Sequence, residues 1–465
     1  MGVQTISRAY QYAIDTTNKN EQDFASHAGG GRYCYNTMLA LVKAVMNQRA
    51  AERTYGIPEA QLTPSMNWSH YGLRRHWNSI KDETAPWWGQ NSKEVYSDAC
   101  SRLANGLSNF NKSRKGERAG KRVGFPKFHS KYDKDSVTFT TGTIRLEPDN
   151  RHITLPVVGT VKTYESTRKL SRHLYKGNAS ITKATLRRRG TRWFVSFTVE
   201  MQRHIPEQRD PETIVGVDVG LKTLYVGANP QGEQTLLVEN MRPFAREENM
   251  IRRISHNLAR KRRTEDYNSH APSKRYQREQ ARHRKHETRA RNRRIDTIHK
   301  TTTLLAKTSD VVVIEDLNVA GMMQYNRPLA KALQDAAFAT FRTLLTYKCA
   351  WYGSTLIVAD RFYPSSKTCS ECGYVKTKLA LSERMFTCEQ CGISIDRDVN
   401  AARNLAKYGE TCFTTGSRPV SGRGGMSKTN RTAVLEVSAI ETSTLTLGDC
   451  PDTGGNLLNA PRAVL

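Results

Sequence analysis

Apolar residues alternate at the start of the chain, where Tyr10, Tyr12 and Ile14 fall on one side of a strand predicted over 5–14. The period then changes. Tyr35, Leu39, Val42 and Met46 form a stripe at helical spacing between Arg32 and Tyr55, and Tyr96, Leu103, Leu107 and Phe110 form another between Ser92 and Phe110. Four of the six tryptophans, Trp68, Trp77, Trp87 and Trp88, lie between these stripes. They could stack on nucleobases, but rings in a small helical region are more often core, and core is the expectation.

Alternation returns beyond the Gly124-Phe125-Pro126-Lys127-Phe128 phrase. Ile144-Arg145-Leu146 and Ile153-Thr154-Leu155 flank a Pro148-Asp149-Asn150 turn, and Leu186 and Trp193–Val199 flank Arg189-Gly190-Thr191, so two hairpins are predicted. Pro206 and Pro211 mark the exit from this β-rich stretch. Ile214–Asp218, Leu224–Val226 and Leu236–Val238 then read as strands, followed by a basic helix or helical pair to about Thr303. A strand at Val311–Glu315, helix over Leu329–Tyr352 and strand at Thr355–Ala359 complete an alternation that argues for an α/β sheet. Ala401, Ala402, Leu405 and Ala406 give a last short helix that Gly409 could close, and disorder is expected over 411–465.

Hydrophobic residues make up 37% of the 465, the mean hydropathy is -0.64, and no apolar run is long enough to span a bilayer. The first residues lack the charged and apolar blocks of a secretory leader, and the nine cysteines do not form a disulfide framework, so a reducing, cytoplasmic setting is expected. Charge is more specific. Lys and Arg number 72 against 44 Asp and Glu, a net charge of +28, which favours a polyanionic partner, nucleic acid before membrane. One cluster comprises Lys112, Arg114, Lys115, Arg118, Lys121, Arg122 and Lys127. Another, with 17 Lys/Arg against 5 acids between Ile251 and Lys300, contains Arg260, Lys261, Arg262, Arg263, Lys274 and Arg275. Either could be a solvated face; two in one very basic chain make phosphate contact the better reading.

Candidate chemistry rests on cysteines and acids. Cys369, Cys372, Cys388 and Cys391 follow the spacing C-x2-C-x15-C-x2-C of a zinc ribbon, with Gly373 and Gly392 placed to take the turn after each pair. Four sulfur ligands make the metal structural, with no open position for catalysis. Asp218 sits within an apolar strand, where a buried charge costs several kcal/mol unless compensated. Glu315 ends a β-branched run, and Asp398 opens the last helix, where its ordinary role would be an N-cap. Asp396 is its nearest competitor. Each acid is weak alone. Three converging carboxylates could hold Mg²⁺, as the paired ions about 3.5–4 Å apart that activate water and stabilise the leaving oxygen in phosphodiester hydrolysis.

These motifs resemble the TnpB family of transposon-encoded, RNA-guided nucleases and its relatives, the type V CRISPR effectors. The matching phrases are Gly216-Val217-Asp218-Val219-Gly220-Leu221-Lys222, Val313–Val319, Tyr363–Gly373 and Asp396–Asn404, with the strongest likeness over 212–409. The resemblance implies an α+β multidomain fold. A β-barrel wedge domain would occupy 1–19 and 116–210, and a helical recognition domain 20–115. An RNase H-like RuvC nuclease would occupy 211–361 and 394–410, with a zinc-ribbon insertion that binds target nucleic acid at 362–393. It implies Asp218, Glu315 and Asp398 as the catalytic, Mg²⁺-holding acids, since the family's acid stands two before Asn400, and Zn²⁺ on the four cysteines. It also implies a guide RNA paired with target DNA, in double- and single-stranded form, in a prokaryotic cytoplasm. Residues 411–465 would then be constrained as RNA more than as protein. A miniature CRISPR effector, a non-cleaving RNA-guided regulator and a DNA-joining transposase are the competing readings.

Overall fold

The computed structural model describes residues 2–118, 120–130, 135–140, 142–190, 192–206, 211–263, 273–324, 327–380, 382–414 and 439–442. The chain divides into two compact units, one built mainly from 5–202 and one mainly from 203–424.

In the first unit, strand β1 (Gly2–Asp15) leads into helices α1 (Asn18–Thr54), α2 (His70–Thr84) and α3 (Lys93–Arg114). Six strands and a helix follow: β2 (Ser136–Phe139), β3 (Arg145–Leu146), β4 (His152–Leu155), β5 (Gly159–Thr163), α4 (Arg168–Tyr175), β6 (Ala179–Arg189) and β7 (Arg192–Ile205). Both expected hairpins form, β3 with β4 and β6 with β7. Strand order is β2-β6-β7-β1-β5-β4-β3. This is an open series, and no pairing joins β2 to β3 among the described residues, so a closed barrel is not what these strands display. Alternation does what the sequence requires: Trp193, Val195, Phe197, Val199 and Met201 of β7 are all buried, and Tyr10, Tyr12 and Ile14 of β1 join the same core with Phe24 of α1.

Helix α1 begins well before Arg32 and runs through Gly29, Gly30 and Gly31. Its start is fixed by Thr17, which forms a reciprocal capping pair with Asn20. Gly30 and Gly31 are suited to mid-helix because α3 packs against them; a Cβ on Gly31 would stand 2.9 Å from Val95 Cγ1. Trp77 is fully buried and Trp68, Trp87 and Trp88, partly buried, pack against the same core cluster, in line with the core expectation.

The second unit opens with β8 (Ile214–Val219), β9 (Thr223–Ala228) and β10 (Gln234–Glu239), an antiparallel meander. The basic stretch is a helical pair, α5 (Pro243–Arg263) and α6 (Lys274–Thr308). Next come β11 (Val311–Ile314), α7 (Val319–Met322), α8 (Arg327–Ala336), α9 (Phe338–Tyr352) and β12 (Thr355–Val358). The single helix expected over Leu329–Tyr352 is two, because Ala337 takes a left-handed φ of 53° and breaks it. A hairpin of β13 (Met385–Thr387) and β14 (Ser394–Asp396) precedes α10 (Arg397–Thr414). Gly409 does not close that helix, which continues past it, so 411–414 are helical rather than disordered. Gly409 instead lets α10 lie on the sheet, since a Cβ there would meet Val313 Cγ2 at 2.6 Å. Finally, β15 (Ala439–Thr442) pairs in parallel with β1; the rest of 415–465, where disorder was expected, lies outside the described residues.

The five-stranded sheet has the order β10-β9-β8-β11-β12, with β8, β11 and β12 parallel. Helix α10 covers one face through Ala402, Leu405 and Ala406, while Tyr225 stacks on Phe341 of α9 at 4.2 Å on the other. Among the described residues, no helix is long and apolar enough to cross a membrane.

Candidate metal and carboxylate centre

Two of the three acids are brought together by strand register. Val313 pairs with Gly216 and Ile314 with Val217, so one step further Glu315 stands beside Asp218 at the carboxyl ends of parallel β8 and β11. Such strand ends, where the order of the sheet reverses, are where open α/β sheets place their sites.

The third acid comes from α10, and a glycine sets how close that helix lies. A Cβ on Gly216 would stand 2.1 Å from the Ala402 carbonyl oxygen and 2.4 Å from the Ala406 nitrogen. Only glycine permits this approach of helix to strand. Gly216→Ala is therefore expected to destabilise the protein by about 1–3 kcal/mol through overpacking, read as a fall in the thermal unfolding midpoint.

At the start of α10 the two candidate aspartates divide the work. Asp396 Oδ1 accepts the backbone N–H of Asp398 (2.9 Å) and of Val399 (3.1 Å), so Asp396 is the cap. Asp398 is thereby released from capping. It faces Asp218, and Oδ2 would lie 4.0 Å from a Cβ on Gly220. Asp396→Ala should cost about 1 kcal/mol of stability, as lost caps do, read as a fall in the thermal unfolding midpoint.

Asp218 keeps some accessible surface, yet protein surrounds it so closely that desolvation is the largest cause of a pKa well above the usual 3.8. The charges of Glu315 and Asp398 push it further, opposed by the Val219 backbone N–H and by Arg397. Arg397 Nε lies 3.6 Å from Asp398 Oδ1. Three hard carboxylate donors facing one another with one partial counter-charge fit a divalent cation such as Mg²⁺. Their oxygens do not all lie within 4.8 Å of one another; among the described residues only the cysteine quartet is that tight.

Spacing along the chain left several neighbours of the acids unmarked. The Ser365 hydroxyl donates to Glu315 Oε1 and fixes one of its oxygens. Asp316, adjacent in sequence, is held by Arg342 and by Arg361 at 2.7 Å. Desolvation opposes ionisation there, but these guanidinium hydrogen bonds win and its pKa is lowered. Asp316 is thus an ion-pair anchor, whereas Glu315 remains available.

The four cysteines form the second centre. Cys369 Sγ and Cys391 Sγ are 3.6 Å apart, as are those of Cys372 and Cys388. A tetrahedron with metal–sulfur bonds of about 2.3 Å has edges of about 3.8 Å, whereas a disulfide needs about 2.05 Å. The quartet fits Zn²⁺ by donor type and by spacing. Its two halves are matched knuckles: Gly373 donates to the Cys369 carbonyl and Gly392 to that of Cys388, at φ of 77° and 73°. The Cys391 backbone N–H, with that of Gln390, draws the Cys388 thiol down to about 6 against opposing desolvation. Phe386, fully buried against Cys369 and Cys388, centres the small core of this cysteine module.

Two buried asparagines tie the ribbon to α10. Asn400 Oδ1 accepts the Ser370 N–H (2.9 Å) and its Nδ2 donates to the Thr368 carbonyl (2.7 Å). Asn404 Nδ2 donates to the carbonyls of Ser365 and Thr368, both at 2.7 Å. The segment that carries the first knuckle is therefore bonded to the helix that carries Asp398, and through Ser365 to Glu315.

Lys112, Arg114, Lys115, Lys121, Arg122 and Lys127 are found at and beyond the end of α3, in the first unit, and most are exposed. In the second unit Arg260, Lys274 and Arg275 are exposed and Lys261 is half-buried. Arg262 and Arg263 end α5, their side chains outside the described residues.

Comparison with known proteins gives three family matches: "Probable transposase" over 196–326, "Cas12f1-like, TNB domain" over 338–405 and "Helix-turn-helix domain" over 1–50, where this chain has β1 followed by the single helix α1. The name "Putative RNA-guided DNA endonuclease" is carried by similar proteins from several bacteria. That of Mycobacterium tuberculosis (strain CDC 1551 / Oshkosh) is 38% identical over 87% of this chain and 86% of its own length. That of Streptomyces pristinaespiralis is 31% identical over 88% of this chain and 90% of its own. That of Escherichia coli (strain K12) is 23% identical over 90% and 96%.

Proposed function

The chain belongs to the transposon-associated TnpB family, and from that premise we propose that it is an RNA-guided DNA endonuclease cutting at Asp218, Glu315 and Asp398. The observation that carries this reading is the placement of Asp218 on β8 beside Glu315 at the end of β11, with Asp398 of the first turn of α10 close enough to act on its charge. In this reading 211–361 and 394–410 are an RNase H-like RuvC nuclease domain and 362–393 its zinc ribbon, contacting target nucleic acid. Residues 20–115 are a helical recognition domain and 1–19 with 116–210 a wedge, while the basic clusters meet RNA and DNA phosphates. The protein acts in a prokaryotic cytoplasm.

Asp218, Glu315 and Asp398 would hold Mg²⁺, which when bound supplies charge stabilisation and an activated water for phosphodiester hydrolysis. The chain's own residues prepare that site. Ser365 fixes the orientation of Glu315, so one carboxylate oxygen is held in a set direction. Asp396 relieves Asp398 of capping, and Arg397 offsets part of the charge. Asp218, surrounded by protein, loses hydration that a bound cation would offset.

The test is cleavage by the full-length protein with Zn²⁺ and Mg²⁺ present. A DNA matched to the guide should be cut and a mismatched one spared. Equal cutting without RNA would sink the reading, and guide-dependent binding with no cutting at any Mg²⁺ concentration would favour a regulator. Sequencing the co-purified RNA separates a transposon protein from a CRISPR effector.

A further inference from the structure

We propose that Phe362 is a stacking platform for one nucleobase of the DNA strand entering the carboxylate site. The inference rests on the nuclease reading and adds a residue to it. Phe362 is 87% exposed, and among the described residues of its unit it is the one large aromatic so open to solvent. It does not sit on a loose loop. Its own N–H donates to Asp360 Oδ1 at 2.8 Å, and the N–H of Tyr363 donates to the Asp360 carbonyl at 3.1 Å. On one side Arg361 is anchored to Asp316. On the other, Tyr363 packs on Tyr408, with ring centroids 4.8 Å apart, and donates its hydroxyl to the Asn404 carbonyl. Both neighbours are held by the fold, while the Phe362 ring stands open between them.

Its place decides what could cover it. Phe362 follows β12 at the carboxyl end of the parallel strands, on the segment that runs from Arg361, bonded to Asp316, to Ser365, bonded to Glu315. A single exposed apolar ring needs no explanation by itself. This one is flanked by Asp360, Arg361 and, through Asp316, Arg342, so it is not part of an apolar patch that would suit a protein partner. An open ring on a held backbone, next in sequence to the half-exposed Arg361, suits a nucleotide: the base face lies on the ring and the backbone phosphate is near positive charge. Stacking of this kind tolerates any sequence, as a guide-directed nuclease requires, because every base has a π-face.

The experiment compares Phe362→Ala, Phe362→Leu and Phe362→Trp in the full-length protein with guide RNA and zinc, after equal zinc content and melting temperature establish folding. Single-turnover cleavage should fall on the order of tenfold in the alanine and leucine variants, as lost base stacking does, and persist in the tryptophan variant. In an Asp218→Asn background, 2-aminopurine walked along the target strand should be quenched at one position when Phe362 is intact or replaced by Phe362→Trp, and unquenched there with Phe362→Ala. Wild-type cleavage rates in the alanine variant, or full rescue by leucine, overturn the proposal. A wild-type protein that does not cut sinks the nuclease reading instead.

Discussion

Asp218→Asn is expected to abolish guide-directed cleavage, by roughly three orders of magnitude or more, the upper range for loss of one charge-stabilising group. Guide-RNA and target binding should remain near wild type, because in this reading the basic clusters carry the phosphate contacts. The same substitution should make the metal-free protein more stable. Desolvation, then the charges of Glu315 and Asp398, raise the Asp218 pKa above its usual 3.8. A carboxyl raised on folding binds its proton more tightly in the folded state, so its ionisation weakens the fold. That penalty is absent below pH 3.8, grows as pH rises towards the folded-state value and is complete above it. Thermal melts of the zinc-loaded proteins without Mg²⁺ should therefore show Asp218→Asn above wild type at neutral pH and converging with it in acid. Added Mg²⁺ should narrow the gap by stabilising the wild type alone. A variant that, zinc-loaded and without Mg²⁺, melts at the wild-type temperature, or that still cuts, would remove Asp218 from the centre.

Cys369→Ser should be nearly as damaging by a different route. Structural zinc sites contribute on the order of 10 kcal/mol to the folding of small modules, and the cysteine module's own core is small: Phe386, Cys369 and Cys388, with Tyr374, Leu379, Ile393 and Ile395 partly buried against them. Loss of the metal should unfold that module. Through Thr368 and Ser370 it should also release the hydrogen bonds of Asn400 and Asn404, and through Ser365 the oriented oxygen of Glu315. The expected result is loss of bound zinc by elemental analysis, a lower melting temperature and cleavage lost along with it. Chelation should reproduce the effect in the wild type and added Zn²⁺ reverse it there, with no rescue of the serine variant. A zinc-free protein that cuts at the normal rate would show the ribbon to be independent of the acids.

Much of this organisation is legible in residue order. The alternation of Trp193 to Met201, the apolar β8 and β11 and the cysteine spacing each place a residue by local pattern, and the strands and knuckles form where that pattern puts them. Local pattern fails where a distant element decides. Helical spacing is legible only from Arg32, yet Gly29, Gly30 and Gly31 are helix, and α3 packs on the bare surface of Gly30 and Gly31. Gly409 reads as a helix stop and is a packing contact with Val313. Ala337 carries no mark of the break it makes between α8 and α9.

The candidate site divides in the same way. The sequence by itself determined the inventory: three acids in order around a cysteine quartet, in a strongly basic chain. Tertiary structure alone decided how they are arranged. It made Asp396 the cap and left Asp398 to face Asp218, tied Asp316 to two arginines while Ser365 oriented Glu315, and joined ribbon to helix through Asn400 and Asn404. The reason is physical. Ligand chemistry belongs to a side chain, and spacing fixes it within one turn or strand; the direction a carboxylate faces depends on how closely distant elements can pack, here on the missing Cβ of Gly216.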